Sequence, residues 1–387
     1  MSSAYIQLPN TSSLDYEDQS FKRRSPRKRW VFYPFLIALS ILAYSLPIGR
    51  LLNHPHHQLD TVELTFASGK TIPDASVAYA TLLTGSVADN DAPADTDNYF
   101  TAARMLCYQI LHDPVTRTRL NAPCLVMVTP NVRQDKIDQL QEDGATVIKV
   151  EFIKSDWAKT DINTWQDVLS KIYLWQMTQY DMIAFLDVDR VLIKPLDGLF
   201  SDPAVVVRDN KLDPKNIKAD EGVQPQDYLF ASAAEMTKNH RFPPISEPED
   251  FYNINYFEAG TFVMRPSKEM FDHHMKVLSI TDRFDPHLPE QNLWNYIYRH
   301  DGNMPWDQLN TAWSAHFPTL KDIEAGAASI HDKFWFPSNE EMKPFLLNAR
   351  DKMLRFYSNR ARELSATRLS KIKDKMPFIQ HHKHSKA

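Results

Sequence analysis

The sequence predicts an α/β fold, a mainly parallel central sheet flanked by helices, behind an N-terminal transmembrane helix. Three observations carry this. Between residues 77 and 189, apolar β-type runs alternate with segments of helical period in the order β-α-β-α-β-α-β. The β-type runs are almost continuous in apolar residues, as suits strands covered on both faces. Residues 30–49 form an uncharged stretch directly after a basic one.

The basic stretch, FKRRSPRKR at 21–29, carries six cationic side chains and no acid. WVFYPFLIALSILAYSLPIG follows at 30–49. A helix of about 20 residues spans about 30 Å, the hydrocarbon core of a bilayer. Trp30, Tyr33 and Tyr44 suit the two interfaces, and Pro34 and Pro47 fall near the ends, where a missing N–H is tolerated. A cleaved signal peptide is the weaker reading, because its apolar region is shorter and no small-x-small cleavage site follows. A buried core helix is weaker too. The positive-inside rule leaves 1–29 cytosolic and everything after Arg50 outside the cytosol, a single-pass type II topology. Residues 50–75 read as a stem, 76–338 as the main domain and 339–387 as a helical extension with a disordered tail.

Within the main domain, VAYATLLTG (77–85) is a strand ended by Gly85, followed by an acidic loop. YFTAARMLCYQILH (99–112) places Phe100, Ala103, Leu106, Cys107 and Ile110 at helical spacing. CLVMVTP (124–130) is a strand, and VRQDKIDQLQEDG a helix closed by Gly144. ATVIKVEFI (145–153) is a strand, and TWQDVLSKIYLWQMTQY (164–180) a helix with Thr164 and Asp167 at capping-box spacing. MIAFLDVD (182–189) is the next strand. Further on come strands in YLFASAAE (228–235) and GTFVMRP (260–266), helices in SKEMFDHHMKVLSI and PEQNLWNYIYRH, and a short small-residue run before His331. Residues 339–373 read as one or two basic helices.

The net charge of −5 over 387 residues gives no argument for nucleic-acid binding. Cys107 and Cys124 are the two cysteines, too few for a disulfide scaffold or a cysteine zinc site. A single disulfide is open to them, but two buried free thiols are the preferred reading.

The chemistry concentrates in FLDVDRVL, 185–192. Residues i and i+2 of a strand share a face, so Asp187 and Asp189 would repel unless a cation lay between them. Ligands of open α/β sheets bind outside the carboxyl ends of strands, which is where this pair lies. With oxygen ligands the natural ions are Mn²⁺ and Mg²⁺. Two chemistries use such a pair: a nucleotide-sugar transferase, and a phosphatase of the haloacid dehalogenase type. The phosphatase wants the motif on the first strand and a later Gly-Asp-x-x-x-Asp cluster, and the sequence has neither. A catalytically inactive transferase-like scaffold would be expected to lack a metal ligand.

SKIYLWQMTQYDMIAFLDVDRVLIKPLDGLF (170–200) closely resembles the glycogenin-like glycosyltransferase family 8, of GT-A fold, in a membrane-anchored fungal form. Lys171, Trp175, Asp187, Asp189 and LDGLF (196–200) match the family's Lys-x-x-x-Trp helix, Asp-x-Asp strand and following helix start. FEAGTFVMRPS (257–267), PEQNLWN (289–295) and SIHDKFW (329–335) resemble its later segments, in order.

The resemblance implies transfer of a sugar from a UDP-sugar with retention, dependent on Mn²⁺ (or Mg²⁺) held by Asp187, Asp189 and His331. Val188 would face the ribose. Leu82, Thr84 and Tyr99 would form the uracil pocket. Lys171 would reach the donor sugar or the catalytic acids, and Lys333 the leaving diphosphate. Glu258 and Glu290 stand where the family has Asn and Asp, next to the reacting carbon with Gln291, so the donor sugar stays open. The implied partners are the UDP-sugar, a glycan, glycolipid or glycoprotein acceptor in the Golgi lumen, and the membrane through the anchor, without nucleic acid.

Overall fold

The computed structural model describes residues 75–85, 96–160, 165 and 167–375. The expected cytosolic tail, transmembrane anchor, nearly all of the stem, most of the acidic loop, Thr164 and the final tail lie outside the described residues. Among the described residues no helix is long and apolar enough to cross a membrane.

The first half runs β1 (Val77–Leu83), α1 (Asn98–Leu111), β2 (Cys124–Val128), α2 (Gln134–Glu142), β3 (Thr146–Lys149), a 3₁₀ helix (Val168–Gln176), β4 (Met182–Leu186) and β5 (Arg190–Leu192). Two short strands follow, β6 (Arg208–Asp209) and β7 (Asp227–Tyr228), then β8 (Phe230–Ala234) and β9 (Phe257–Met264). Next come α3 (Lys268–Leu278), α4 (Pro289–Ile297), β10 (Asp307–Gln308), β11 (Ala315–His316), α5 (Leu320–Glu324), β12 (Ser329–His331) and α6 (Lys343–Lys375).

The main sheet has seven strands in the order β10-β8-β9-β4-β1-β2-β3. β3, β2, β1 and β4 are parallel neighbours, β9 is antiparallel to both β4 and β8, and β10 lies parallel to β8. Every residue of β1, β2, β4, β8 and β9 is buried, as suits largely apolar strands of a sheet covered on both faces. The two edge strands, β3 and the short β10, are less covered. β3 shows the reason. It is shorter than its apolar run and only partly covered, because as an edge strand it has a single neighbour. β9 begins three residues before Gly260, because Phe257 pairs with Ala234 and packs on Trp306.

Aromatic residues fill the core on one sheet face. Trp175 lies 5.2 Å from Trp294, and Phe230 stacks 4.2 Å from Tyr298. This burial changes the helix expected over 164–180. The segment is a 3₁₀ helix in which Val168, Leu169, Ser170, Lys171, Ile172, Leu174 and Trp175 are all buried, so it has no solvent-facing stripe. Asp167 makes no cap, and its carboxylate accepts instead from Asn131 Nδ2 at 3.3 Å. On the opposite face, α6 packs on α1, with Phe356 5.1 Å from Tyr108 and stacked on His112. Over its described length the basic extension is a 3₁₀ turn at Glu340–Met342 followed by one long helix, α6.

Cys107 on α1 and Cys124 at the start of β2 form a disulfide, which corrects the free-thiol expectation. α1 crosses directly over β2, bringing the two Cα atoms to 5.8 Å, within bridging range. The pair closes a loop of 17 residues. Replacing both cysteines by alanine is expected to lower unfolding free energy by about 3 kcal/mol through regained chain entropy, measured by denaturant unfolding followed by tryptophan fluorescence.

Candidate metal centre

β4 ends at Leu186, one residue before the first carboxylate. The Asp187 N–H donates to the Gly260 carbonyl at 2.9 Å, and the Arg190 N–H donates to the Asp187 carbonyl at 3.1 Å. These bonds close a tight turn over Val188 and Asp189 that leads straight into β5. The two aspartates thus lie on a turn, not on one face of a strand as their spacing suggested. Val188 between them is buried and packs with the core.

β5 carries the chain into a second sheet, ordered β11-β12-β5. There β12 runs antiparallel to β5 with His331 opposite Arg190, and the Asp332 N–H donates to the Asp189 carbonyl at 3.1 Å. This register sets the imidazole against the aspartates. His331 Nε2 lies 2.9 Å from Asp189 Oδ1 and 4.0 Å from Asp187 Oδ2. One ligand atom from each of the three residues falls within 4.8 Å of the others. Burial disfavours the charge on His331, but Asp189 outweighs it and pushes the imidazole up to about 9. Burial likewise opposes ionisation of Asp189, and Lys333 with His331 overrides it, holding that carboxyl well below its usual range.

Gly260 makes the close approach possible. A Cβ there would stand 2.6 Å from Glu258 Oε2, 2.8 Å from Asp187 Oδ2 and 2.8 Å from His331 Cε1. All three contacts are shorter than side chains tolerate, so the backbone of β9 can lie beside the cluster only without a side chain. Two carboxylates and an imidazole in this cradle form a donor set that fits a divalent cation such as Mn²⁺.

Around the cluster, each anion has a cation. Lys171 on the 3₁₀ helix is buried and bridges Asp187 Oδ1 and Glu290 Oε1, both at 3.0 Å, with the Ala259 carbonyl at 3.4 Å. Burial works against its charge, but the two carboxylates prevail and raise its pKa. Lys333 reaches Asp189 Oδ2 at 3.1 Å from a half-buried position. Glu258 is buried against Arg190 and accepts from the Gly260 N–H at 2.8 Å and from Ser314 Oγ at 3.2 Å. Gln291, on the first turn of α4, accepts from the Ala259 N–H at 2.9 Å and donates to Glu235 and Tyr256, each at 3.1 Å.

The structure therefore brings together Lys171, Asp187, Val188, Asp189, Glu258, Glu290, Gln291, His331 and Lys333. Leu82 and Thr84 stand at the end of β1, which runs beside β4 and borders the same sheet edge. Tyr99 packs its ring in a T-shaped pair 4.9 Å from Trp335, two residues beyond Lys333. Two residues escaped the sequence reading. Glu235 follows the buried strand β8 as Asp187 follows β4, a carboxylate directly behind an apolar run, and that signal was available. Burial, then the charge of Glu258, pushes its carboxyl up to about 7. The other is Arg190, which binds Glu258.

No family model matches the chain. An uncharacterized protein of Schizosaccharomyces pombe is 25% identical over 65% of this chain and 73% of that protein. A putative UDP-glucuronate:xylan alpha-glucuronosyltransferase 5 of Arabidopsis thaliana is 38% identical over 50% of this chain and 32% of that protein. The glycogenin of Neurospora crassa is 25% identical over 61% of this chain and 29% of that protein. The chain thus aligns with about a third of the length of these last two. Among solved structures, the bifunctional glycosyltransferase WbbM matches at 16% identity and a TM-score of 0.43, over 72% of this chain and 50% of that one.

Two outcomes follow from this geometry. Gly260→Ala is expected to lower stability by about 1–3 kcal/mol through overpacking, read from the denaturant midpoint. Glu235 gives a pH dependence. Between 4.5 and about 7 the folded chain keeps its proton while the unfolded chain has lost it. Stability therefore falls as pH rises through that window, by about 3 kcal/mol for a shift of this size. Glu235→Gln is expected to flatten that fall, measured by urea unfolding on either side of the window.

Proposed function

We propose that this chain is a retaining glycosyltransferase of the glycogenin-like family 8, with the GT-A fold, that moves a sugar from a UDP-sugar to a glycan, glycolipid or glycoprotein. The observation that carries the reading is the convergence of Asp187, Asp189 and His331 at the carboxyl ends of the parallel strands, flanked by Lys171 and Lys333. A carboxylate pair, an imidazole and two lysines at one sheet edge suit a nucleoside diphosphate held through a divalent cation. The activities printed in the names of the plant and Neurospora relatives support the same class of chemistry.

In this reading Asp187, Asp189 and His331 hold Mn²⁺. Bound there, the ion supplies positive charge to the diphosphate as it leaves. Lys333, partly exposed beside Asp189, offers a point charge to the same diphosphate. Lys171 lets Asp187 and Glu290 lie close without repulsion, so both sides of the site keep their geometry. Glu290 and Gln291 open α4 on the sugar side, and the bonds to Ala259, Glu235 and Tyr256 fix the Gln291 amide before any sugar arrives. Such preorganisation is where a transferase without a covalent step gains its rate.

The proposal extends to place: a type II protein of the Golgi membrane with this domain in the lumen. The uncharged stretch at 30–49 supports the anchor. The buried Cys107–Cys124 disulfide supports an oxidising compartment independently of it.

The test is calorimetric titration of UDP into the detergent-solubilised full-length chain with and without Mn²⁺. UDP is expected to bind in the presence of Mn²⁺ alone, and Asp189→Ala to abolish that binding while leaving the circular dichroism unchanged. Equal UDP binding with and without the ion, or none under either condition, would count against the assignment.

A further inference from the structure

Directly after the two aspartates stands an arginine with no exposed surface. Arg190 Nη2 donates to Glu258 Oε1 and Nε donates to the Gly260 carbonyl at 3.1 Å. Nη2 also lies 3.5 Å from His331 Nδ1, while Nη1 is buried without a hydrogen-bond partner. A guanidinium does not discharge in a protein, so a full positive charge sits behind the histidine of the metal cluster.

Glu258 faces that charge and the histidine together. Its Oε2 lies 3.6 Å from His331 Nδ1. The other ring nitrogen, Nε2, is the one that points at Asp189 and Asp187. On the ring's flat face His316 stacks at 5.1 Å, and burial keeps it uncharged. The carboxylate therefore addresses the side of the imidazole away from the ligand position. A carboxylate behind a ligating histidine fixes both its tautomer and its orientation. Left alone, this one would add a negative charge to a cluster that already holds two. Its buried position turns it toward Arg190, Ser314 and the Gly260 N–H.

We propose that Arg190 and Glu258 are positioning residues that work as a matched pair behind His331. Glu258 turns Nε2 toward the two aspartates, and Arg190 cancels the charge that Glu258 would otherwise bring to the cation site. The inference rests on the metal-site reading above. It differs from a merely structural ion pair in one respect: the two single substitutions should act on metal affinity in opposite directions.

The experiment is titration of Mn²⁺ into the detergent-solubilised full-length chain, with the free ion followed by electron paramagnetic resonance and folding by circular dichroism. In Glu258→Gln the guanidinium is uncompensated, and the Mn²⁺ dissociation constant is expected to rise by about tenfold or more. In Arg190→Met the carboxylate is uncompensated, and the constant is expected to fall. The double variant, neutral at both positions, should bind more tightly than Glu258→Gln as the charges cancel, yet less tightly than wild type because the carboxylate no longer turns the imidazole. Arg190→Lys keeps the charge and should bind as wild type does, a check that survives even if Arg190→Met fails to fold. Weakening in both single variants alike, or in Arg190→Lys, overturns the pair while leaving the metal site standing. A wild-type chain that binds no Mn²⁺ overturns both.

Discussion

Charge compensation among largely buried groups is the constraint on which the rest of this structure depends. Asp187, Asp189, Glu258 and Glu290 converge where the strands end, and buried carboxylates are costly unless each finds a cation and hydrogen bonds. Lys171 serves Asp187 and Glu290, Lys333 and His331 serve Asp189, and Arg190 serves Glu258. These partners come from six separate elements. The charges can meet only if the sheet, the 3₁₀ helix, α4 and the small second sheet all take their places. The polar site thus also acts as a register for the fold.

The backbone accommodates this through two local devices. The turn over Val188 and Asp189 releases the carboxylates from the pleat, so that they share a partner rather than face each other across a strand. Gly260 lets β9 run beside them with no side chain in the way. Both depend on the antiparallel pairing of β4 with β9, since the Asp187 N–H and the Gly260 carbonyl are the bond that extends that ladder.

Beneath the site, the two faces of the main sheet are packed differently. One carries an aromatic layer built around Trp175, Phe230, Phe262 and Trp294, a large apolar area held in fixed ring geometry. The other carries α1, locked to β2 by a disulfide and covered by α6. The aromatic layer lies directly under Lys171, whose ammonium stands 5.0 Å over the Phe185 ring. A rigid floor of this kind holds a buried lysine in one position, and through it the two carboxylates that it bridges.

By itself the sequence determined the order of strands and helices in the first half, the mainly parallel sheet and the place of the aspartate pair at a strand end. Those features depend on local periodicity and on which faces a segment must bury. Tertiary structure decided what the periodicity does not encode. The helical run over 168–176 became a 3₁₀ helix with seven of its nine residues buried. β3 became a partly exposed edge, and the two cysteines met because α1 crosses β2. The pairing of charges was decided at long range: His331 meets Asp189 across 142 residues, Lys171 meets Glu290 across 119, and Arg190 meets Glu258 across 68. A charged residue written in a sequence announces that it needs a partner. Which of several it receives is settled only when the packed backbone fixes the distances.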